Sequence, residues 1–586
     1  MGIKLSDKMF QLVDAVYQQQ RTDARLDQES RKALIEERRN YLRSGIGRLS
    51  TPGTESDEGT HSVTRLTQRL KSIEAEFLRN LDEKENCIWL SRAELAGIPD
   101  DTIASMEVGT GELDGKLKLN LNGMQARWTL TVASLPATRE KIYLGVTSGA
   151  EENVPLFQEA IRLRYRLAYL LGYPNHLAYK VEITMARTPE AVMDLVMGIS
   201  DRVMQRLPTE IERLVQLKKD DPAAQGRPDA DILLWSDISY YTRLCEEENH
   251  SLDHNLIAQH FPLYQTISKM LALFGGSSAS QYLQNSGPLT WHLDVFLYSV
   301  WNDEQEGGEF AGYLYLDHHP RPGKAGGAQC RPLHLGFERS DGRRHYPSTV
   351  LLTNFAKPAP DMPSLLQHSE VVLLFHELGH GIHDLSGRCK YSRFHGAETA
   401  SDFNEAPSQM LENWCWDATG LKQLSGHYQT GSPLPDSMIT SLLLTRGVLP
   451  AIKLLPQLRL TIFDTLVHST DPSHDEEIDV GKIYAECSGI GGISNAGDDC
   501  SHGYASYRHL FSGADAGMYG YLWSKMLAMD MFDTVFKQNP LDDIAGRRYR
   551  HIVLEKGGSQ DEMETFVQFL GRKPSSDAYY RSLGLG

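Results

Sequence analysis

The segment FHELGHGIHDLSG, residues 375–387, places three histidines and a glutamate in a run that otherwise has the composition of a buried helix. At 100° per residue, His376, His380 and His383 fall on one side of that helix, with Glu377 on its flank. Histidines four residues apart are neighbours on a helix, so His376 and His380 can bind one ion. Glu377 then lies beside the open coordination position, where it can take a proton from a water molecule. The segment therefore predicts one catalytic zinc ion.

Two glycines in this segment also carry information. Gly379 lies between the two histidines and costs the helix up to about 1 kcal/mol relative to alanine. Its position predicts that another part of the chain approaches the helix backbone there. Gly387 is expected to end the helix.

The third protein ligand is not decided by spacing alone. Catalytic zinc usually takes three protein ligands and one water. His383 is disfavoured, because three ligands so close on one helix would crowd the ion. The longer pattern HExxHxxGxxH is also absent, since His383 stands where its glycine belongs and Ser386 where its third histidine belongs. A downstream carboxylate is favoured instead.

Three downstream glutamates are candidates, and they would share one face of a continuous helix because they are spaced by seven: Glu398, Glu405 and Glu412. Glu398 pairs with Asp402 in the spacing expected of a ligand and its orienting partner. Pro407 would kink the helix and aim Glu405 inward. The residues themselves leave these alternatives open.

Composition narrows the function class. The chain has 586 residues, a net charge of −18 and seven scattered cysteines without a CxxC pair. The negative charge argues against nucleic-acid binding, and the sparse cysteines indicate a reducing compartment. No apolar run is long enough for a membrane span, so we expect a cytoplasmic protein. Gly2 and Ser6 fit the loose pattern of N-myristoylation, without a basic patch to strengthen the anchor.

Helical periodicity dominates, and one region differs from it. Residues 310–355 are rich in glycine and proline and contain short apolar runs, with a turn signal at Asp341–Gly342. We predict a mainly α protein with a small β-sheet just before the histidine helix. The predicted regions are residues 1–145 and 146–305, both helical, a β insert at 306–356, and a metal-binding region at 357–586. Within the insert, STVLLTNF (348–355) is a candidate edge strand for a peptide.

A glycine-rich segment, SHGYASYRHLFSGADAGMYGYLWS (501–524), is the candidate second half of the site. Peptide hydrolysis at zinc passes through an oxyanion, and tyrosine or histidine donors can stabilise it. Its candidates are Tyr504, Tyr507, His509, Tyr519 and Tyr521.

The stretch FHELGHGIHDLSGRCKYSRFHGAETASDFNEAPSQMLENW (375–414) resembles the signature of the M3 zinc oligopeptidases, the thimet oligopeptidase and neurolysin family. Further matches follow in the family's order, among them MARTPE, LLTNFAKP, YGYLWSKMLAMDMF and FLGRKP. The likeness covers nearly the whole chain, which begins well inside a typical member. It implies a two-lobed, largely helical zincin with a deep substrate channel.

The resemblance also implies roles for individual residues. The third zinc ligand is the glutamate of DFxEAPSQMLENW, here Glu405, which leaves Glu398 as a solvated helix residue. His509 and Tyr521 match family residues that contact the substrate or the transition state. Ala514 and Met518 stand where relatives carry tyrosines, so one oxyanion donor is lost unless Tyr504, Tyr507 or Tyr519 replaces it.

We therefore expect a monomeric, cytoplasmic zinc endopeptidase acting on short unstructured peptides, with Glu377, His509 and Tyr521 as its catalytic residues. Two alternatives remain. A zinc carboxypeptidase would need a basic residue for the terminal carboxylate. A zinc-bearing peptide-binding protein with weak activity is suggested by Ala514 and Met518, although the intact Glu377 argues against it.

Overall fold

The computed structural model describes residues 7–47, 56–83, 86–121, 124–250, 253–273, 290–470, 478–494 and 500–585. Helices predominate, as the periodicity predicts. Those that precede the main sheet are α1 Asp7–Gln20, α2 Gln28–Arg43, α3 Ser56–Glu83, α4 Asp100–Ala104, α5 Met124–Val132, α6 Pro136–Thr147, α7 Val154–Leu170, α8 His176–Val181, α9 Pro189–Asp220, α10 Ile238–His250, α11 His254–Ala258 and α12 Leu263–Leu273.

The helices that follow the sheet form the second half of the chain. They are α13 His368–Ser386, α14 Glu405–Leu411, α15 Ala418–Leu424, α16 Asp436–Thr445, α17 Pro450–Ser469, α18 Val480–Ser488, α19 Tyr519–Met531, α20 Asp543–Tyr549, α21 Glu562–Leu570 and α22 Asp577–Ser582. A 3-10 helix, Glu412–Trp416, continues α14, and π-helical turns Phe532–Phe536 and Arg550–Leu554 continue α19 and α20.

In the described ranges, eight strands form three small sheets, which are antiparallel or mixed. They are β1 Cys87–Ser91, β2 Lys116–Asn120, β3 Val295–Trp301, β4 Phe310–Asp317, β5 Gln329–His334, β6 Phe337–Glu338, β7 Arg344–His345 and β8 Ser348–Leu352. The main sheet has the order β3-β4-β8-β5, in which β4 and β8 are parallel and the other neighbours antiparallel. The predicted sheet before the histidine helix is confirmed, although it begins at Val295 rather than at residue 306. The other region boundaries stay predictions.

The sheet order contradicts one expectation. STVLLTNF contains β8, and β8 pairs on both sides, with β4 and with β5. It is therefore an interior strand, not the predicted edge strand. The edge beside it is β5, whose residues from Arg331 to His334 are exposed.

Two large hydrophobic cores share helix α17. Its first half, with Ile452, Leu455 and Leu458, packs into the core that also holds α9, α13 and α19. Its second half, with Phe463 and Val467, packs with α3, α7 and α18. A smaller core lies around β1 and β2. The histidine helix belongs to the first core and most of the glycine-rich segment to the second.

No single helix in the described part of the chain is long and apolar enough to cross a membrane. Helices α16 and α17, joined at a 46° bend, pass that test together by length and composition only. Most of α17 is buried in the two cores.

Candidate metal centre

Helix α13 carries the HExxH segment and lies against the main sheet. A capping box closes its N-terminus, in which Gln367 accepts from the third helical amide and Glu370 accepts from the backbone of Gln367. Its apolar face, including Val371, Leu374 and Phe375, is fully buried. At its C-terminus the amide of Gly387 donates to the carbonyl of His383, as the sequence predicts. Packing and caps together fix the direction in which the histidines point.

Gly379 is the point of closest approach between α13 and α14. A Cβ atom built on Gly379 would lie 2.7 Å from Cα of Ser408. This is backbone, which cannot turn aside as a flexible side chain can. The predicted close approach is confirmed, and it brings the start of α14 against the histidines.

Glu405, the first residue of α14, meets both histidines. Its Oε2 lies 3.1 Å from Nε2 of His376 and 3.3 Å from Nε2 of His380. The ligand atoms of the three residues lie within 4.8 Å of one another. Across the described ranges, this is the only group of three or more His, Cys, Asp or Glu side chains with that property. Two imidazoles and one carboxylate match the three-ligand set of a catalytic zinc site.

Glu412 orients His376 from behind. Its Oε1 lies 2.9 Å from Nδ1 of His376, and its other oxygen accepts a hydrogen bond from Lys525. A carboxylate on the far nitrogen fixes the tautomer, so that Nε2 is free for the ion. The sequence offers Glu412 only as a candidate ligand, and its spacing of seven from Glu405 is the signal that it belongs to the site.

The electrostatics of this group favour a cation. Burial lowers the pKa of His376, but the hydrogen bonds that its ring donates to the carboxylates of Glu405 and Glu412 outweigh burial and raise the pKa to about 10. Burial alone would raise the pKa of Glu405, but its interactions with the two histidines outweigh burial and hold that pKa well below its usual range. A half-buried set with two carboxylates and two imidazoles is a negative pocket, which a divalent ion would neutralise.

Glu377 lies beside the ligands and faces the edge of the sheet. Its side chain is buried, and burial raises its pKa, opposed by His376, His380 and a hydrogen bond from the backbone of Cys330 in β5. The carboxylate of Glu377 therefore interacts with β5 on one side and, on the other, with the histidines of the metal group, the name used here for His376, His380 and Glu405.

The alternative ligands are not part of the group. His383 is fully buried, and burial lowers its pKa to about 3. Glu398 is exposed and lies outside the helices, so it is solvated as expected but not helical. Asp402 does not pair with it; its carboxylate accepts from the backbone amides of Met185 and Ala186 instead.

The structure separates the tyrosine candidates. Tyr519 is buried, with its hydroxyl bonded to Asp402 and Thr184, and Tyr504 is fully buried among Phe157 and Phe463. Neither can replace a missing oxyanion donor. Tyr507 is half-buried and packs on Tyr484.

Tyr521 and His509 have different surroundings. Tyr521 is half-buried on α19, and its pKa is raised by burial and then by the charge of Glu405, which places it near the metal group. His509 is exposed, and after burial the groups that lower its pKa are Arg127 and Arg508. Tyr521 is therefore within electrostatic reach of Glu405, whereas the charges that affect His509 are those of Arg127 and Arg508.

The positions that depart from the resemblance lie in an anchored turn. The carboxylate of Asp464 accepts from the amides of Ala516 and Met518, at 2.8 and 3.0 Å. Met518 is 4% exposed and packs in the second core. Ala514 packs at the border of the same core.

Comparison of the sequence and of the structure with known proteins finds peptidases in each case. The family model described as Peptidase family M3 matches residues 129–585. Saccharolysin of Saccharomyces cerevisiae is 34% identical over 572 residues, which cover 96% of this chain and 79% of that protein. Oligopeptidase A of Haemophilus influenzae is 30% identical, with 95% and 81% covered. The solved structure of PZ peptidase A with inhibitor 2 has a similar fold, with a TM-score of 0.55 at 11% identity, and 99% and 84% covered.

The close approach at Gly379 generates a first prediction. Gly379→Ala forces α13 and α14 apart, so we expect a loss of about 1–3 kcal/mol in stability and a displaced Glu405. Thermal unfolding and titration with Zn²⁺ as a probe ion measure both effects. Gly381→Ala is the matched control, since its nearest atoms would be 3.7 Å away. Equal behaviour of the two variants would contradict the role given to Gly379.

Glu412 generates a second prediction. Glu412→Gln keeps the size of the side chain but removes the charge that holds His376. We expect Zn²⁺ affinity to fall by about 10–100-fold, with the fold retained. Competition with a chromogenic chelator measures the affinity, and Glu398→Gln, at an exposed glutamate outside the group, should leave it unchanged. Unaltered affinity in Glu412→Gln would show that His376 is oriented without it.

Proposed function

Because the chain belongs to peptidase family M3, we propose that it is a zinc-dependent endopeptidase that cleaves internal bonds of short, unstructured peptides. His376, His380 and Glu405 hold the ion, and Glu377 is the general base. The observation that carries this proposal is the convergence of both histidines on one oxygen of Glu405, with the buried Glu377 next to them.

The donor set suits zinc, with two imidazoles, one carboxylate and a further carboxylate behind one imidazole. When bound, zinc supplies Lewis acidity that polarises the scissile carbonyl and lowers the pKa of water to about 7. Glu377 takes the proton from the attacking water and passes it to the leaving amine. Its burial, which raises its pKa, suits a group that must both accept and return a proton.

The edge strand β5 offers the substrate backbone a partner. Its outer side has no neighbouring strand in the described sheet, and the amide of Cys330 within it contacts Glu377. An extended peptide added to β5 would lie with its backbone beside the general base. Recognition through the backbone does not depend on side-chain sequence, which suits an enzyme for varied short peptides.

Tyr521 is proposed as the oxyanion donor, because it is the candidate tyrosine whose pKa is affected by Glu405. His509 is proposed as a substrate contact from the other core. None of the six described cysteines forms a disulfide, which supports the proposal of a reducing, cytoplasmic compartment. We further propose a monomer with a channel that admits flexible chains.

Hydrolysis of a quenched peptide of about ten residues, blocked at both ends, tests the function. We expect cleavage by the wild type, its loss with a chelator, and a fall in kcat of about 10²–10⁴-fold in Glu377→Gln with zinc content unchanged. Glu398→Gln is the matched control and should cleave normally. A Glu377→Gln variant with full activity would refute the assignment of the base.

The same assay separates the two alternatives. A carboxypeptidase would leave the blocked peptide intact and cleave one with a free C-terminus. A binding protein would hold the peptide without cleaving either form. Internal cleavage of the blocked peptide excludes both.

Tyr521 generates a separate prediction. Tyr521→Phe removes one oxyanion donor, so kcat should fall by about 10²–10³-fold while KM changes little. Tyr504→Phe removes a buried hydroxyl without a hydrogen-bond partner and should leave kcat unchanged. If Tyr521→Phe raises KM and preserves kcat, Tyr521 binds substrate and does not stabilise the transition state.

A further inference from the structure

A cavity of about 640 Å³ lies behind the histidine helix and is not part of the metal group. Helix α13 contributes Leu378, Ile382 and Leu385 to its wall. On a helix these positions point roughly opposite to His376 and His380. One face of α13 therefore holds the candidate metal ligands, and the opposite face lines this separate space.

The body of the cavity is apolar. Strands β3 and β4 add Val300 and Leu314, and the region after α19 adds Phe536. Cavities of this size that are mostly apolar, with a few placed polar groups, are typical of sites for small organic ligands.

Two buried polar groups in the lining have no hydrogen-bond partner among the residues that the structure describes. They are Nδ2 of Asn302, a residue 4% exposed, and the hydroxyl of Tyr549, a residue 5% exposed. The other amide atom of Asn302 accepts from Nη2 of Arg550 at 2.7 Å, which fixes the amide with its donor side unused. Burial raises the pKa of Tyr549, so its hydroxyl stays protonated. Buried donors of this kind are normally satisfied, so two in the lining of one cavity point to a ligand that accepts hydrogen bonds.

Among the lysine and arginine side chains that line the cavity, Lys269 is the one we consider available to bind an anion. Lys422 pairs with Asp436, and Arg547 pairs with Asp303 and Glu306. Lys269 donates to the carbonyl of Ser425 but has no carboxylate partner in the described part of the chain. The lining also has two acidic residues: the carboxylate of Asp542 caps α20 by accepting two backbone amides, and Asp543 is exposed to solvent.

We infer that this cavity binds an amphipathic monocarboxylate with a hydrocarbon body, of the class of medium-chain fatty acids. The hydrocarbon packs against the back of α13 and the inner face of the sheet. The carboxylate is attracted by Lys269 and accepts hydrogen bonds from the donors on the wall. Because α13 also carries the candidate metal ligands, the bound molecule stabilises that helix. This inference does not depend on the proposed peptidase activity.

Calorimetric titration of the full chain with dodecanoate tests the inference. We expect saturable binding of one molecule, about tenfold or more tighter than that of dodecylammonium, which has the same chain and the opposite charge. Binding of the ammonium compound with equal affinity would overturn the assignment of a carboxylate. Absence of saturable binding up to about 0.5 mM would overturn the site itself.

Variants then locate the bound molecule. Tyr549→Phe removes only an unpartnered hydroxyl, so the fold should tolerate it, and dodecanoate affinity should fall about tenfold. Tyr504→Phe is the matched control, because that hydroxyl is also buried and unpartnered but lies in the second core. Ile382→Trp should fill the cavity and abolish binding. Unchanged affinity in Tyr549→Phe would overturn the proposed contact, and unchanged affinity in Ile382→Trp would place dodecanoate elsewhere.

Discussion

The metal group depends on how closely two helix backbones can approach. Gly379 lets α13 come against Ser408 in the middle of α14, and this close approach accompanies the position of Glu405 next to both histidines. The other side of the same segment is also held by a glycine, since a Cβ on Gly520 would lie 3.3 Å from Cα of Asp402. Residues 402–408 are thus held between α13 and α19, at positions where side chains would separate them.

Two buried carboxylates connect the segments around the metal group to distant parts of the chain by hydrogen bonds. Asp402 accepts from the amides of Met185 and Ala186, so the ligand segment is tied to residues more than two hundred positions earlier. Asp464 does the same for the turn at 516–518. A carboxylate that accepts two backbone amides fixes the position of a segment and not only of one side chain. The candidate site is therefore fixed by hydrogen bonds between elements that are remote in sequence.

The sequence predicts most reliably what is local. Helical spacing alone pairs His376 with His380, and the glycine between them correctly indicates a close approach. The same spacing cannot select Glu405 from Glu398, because it assumes a continuous helix, whereas Glu398 lies outside α14. Glu405 is selected from the sequence only because it matches the glutamate of the family segment DFxEAPSQMLENW; helix geometry does not select it.

Long-range contacts account for the expectations that failed. The interior position of β8 depends on pairing with β4 and β5, which no pattern within residues 348–355 contains. Burial of Tyr504 and Tyr519 likewise depends on residues far away, among them Phe157 and Asp402. Alternation and turn signals predict where strands and loops occur. They do not predict which strands pair with one another or which distant side chains bury a loop residue.

The anchored turn changes the meaning of Met518. From the sequence, methionine at this position is a lost oxyanion donor. In the structure its amide is bound by Asp464 and its side chain packs in the second core, so the residue contributes to stability there. A hydroxyl group at that position would point into apolar surroundings unless the turn changed its conformation. In this conformation we propose Tyr521 as the oxyanion donor, because among the candidate tyrosines it combines partial exposure with an electrostatic effect from Glu405.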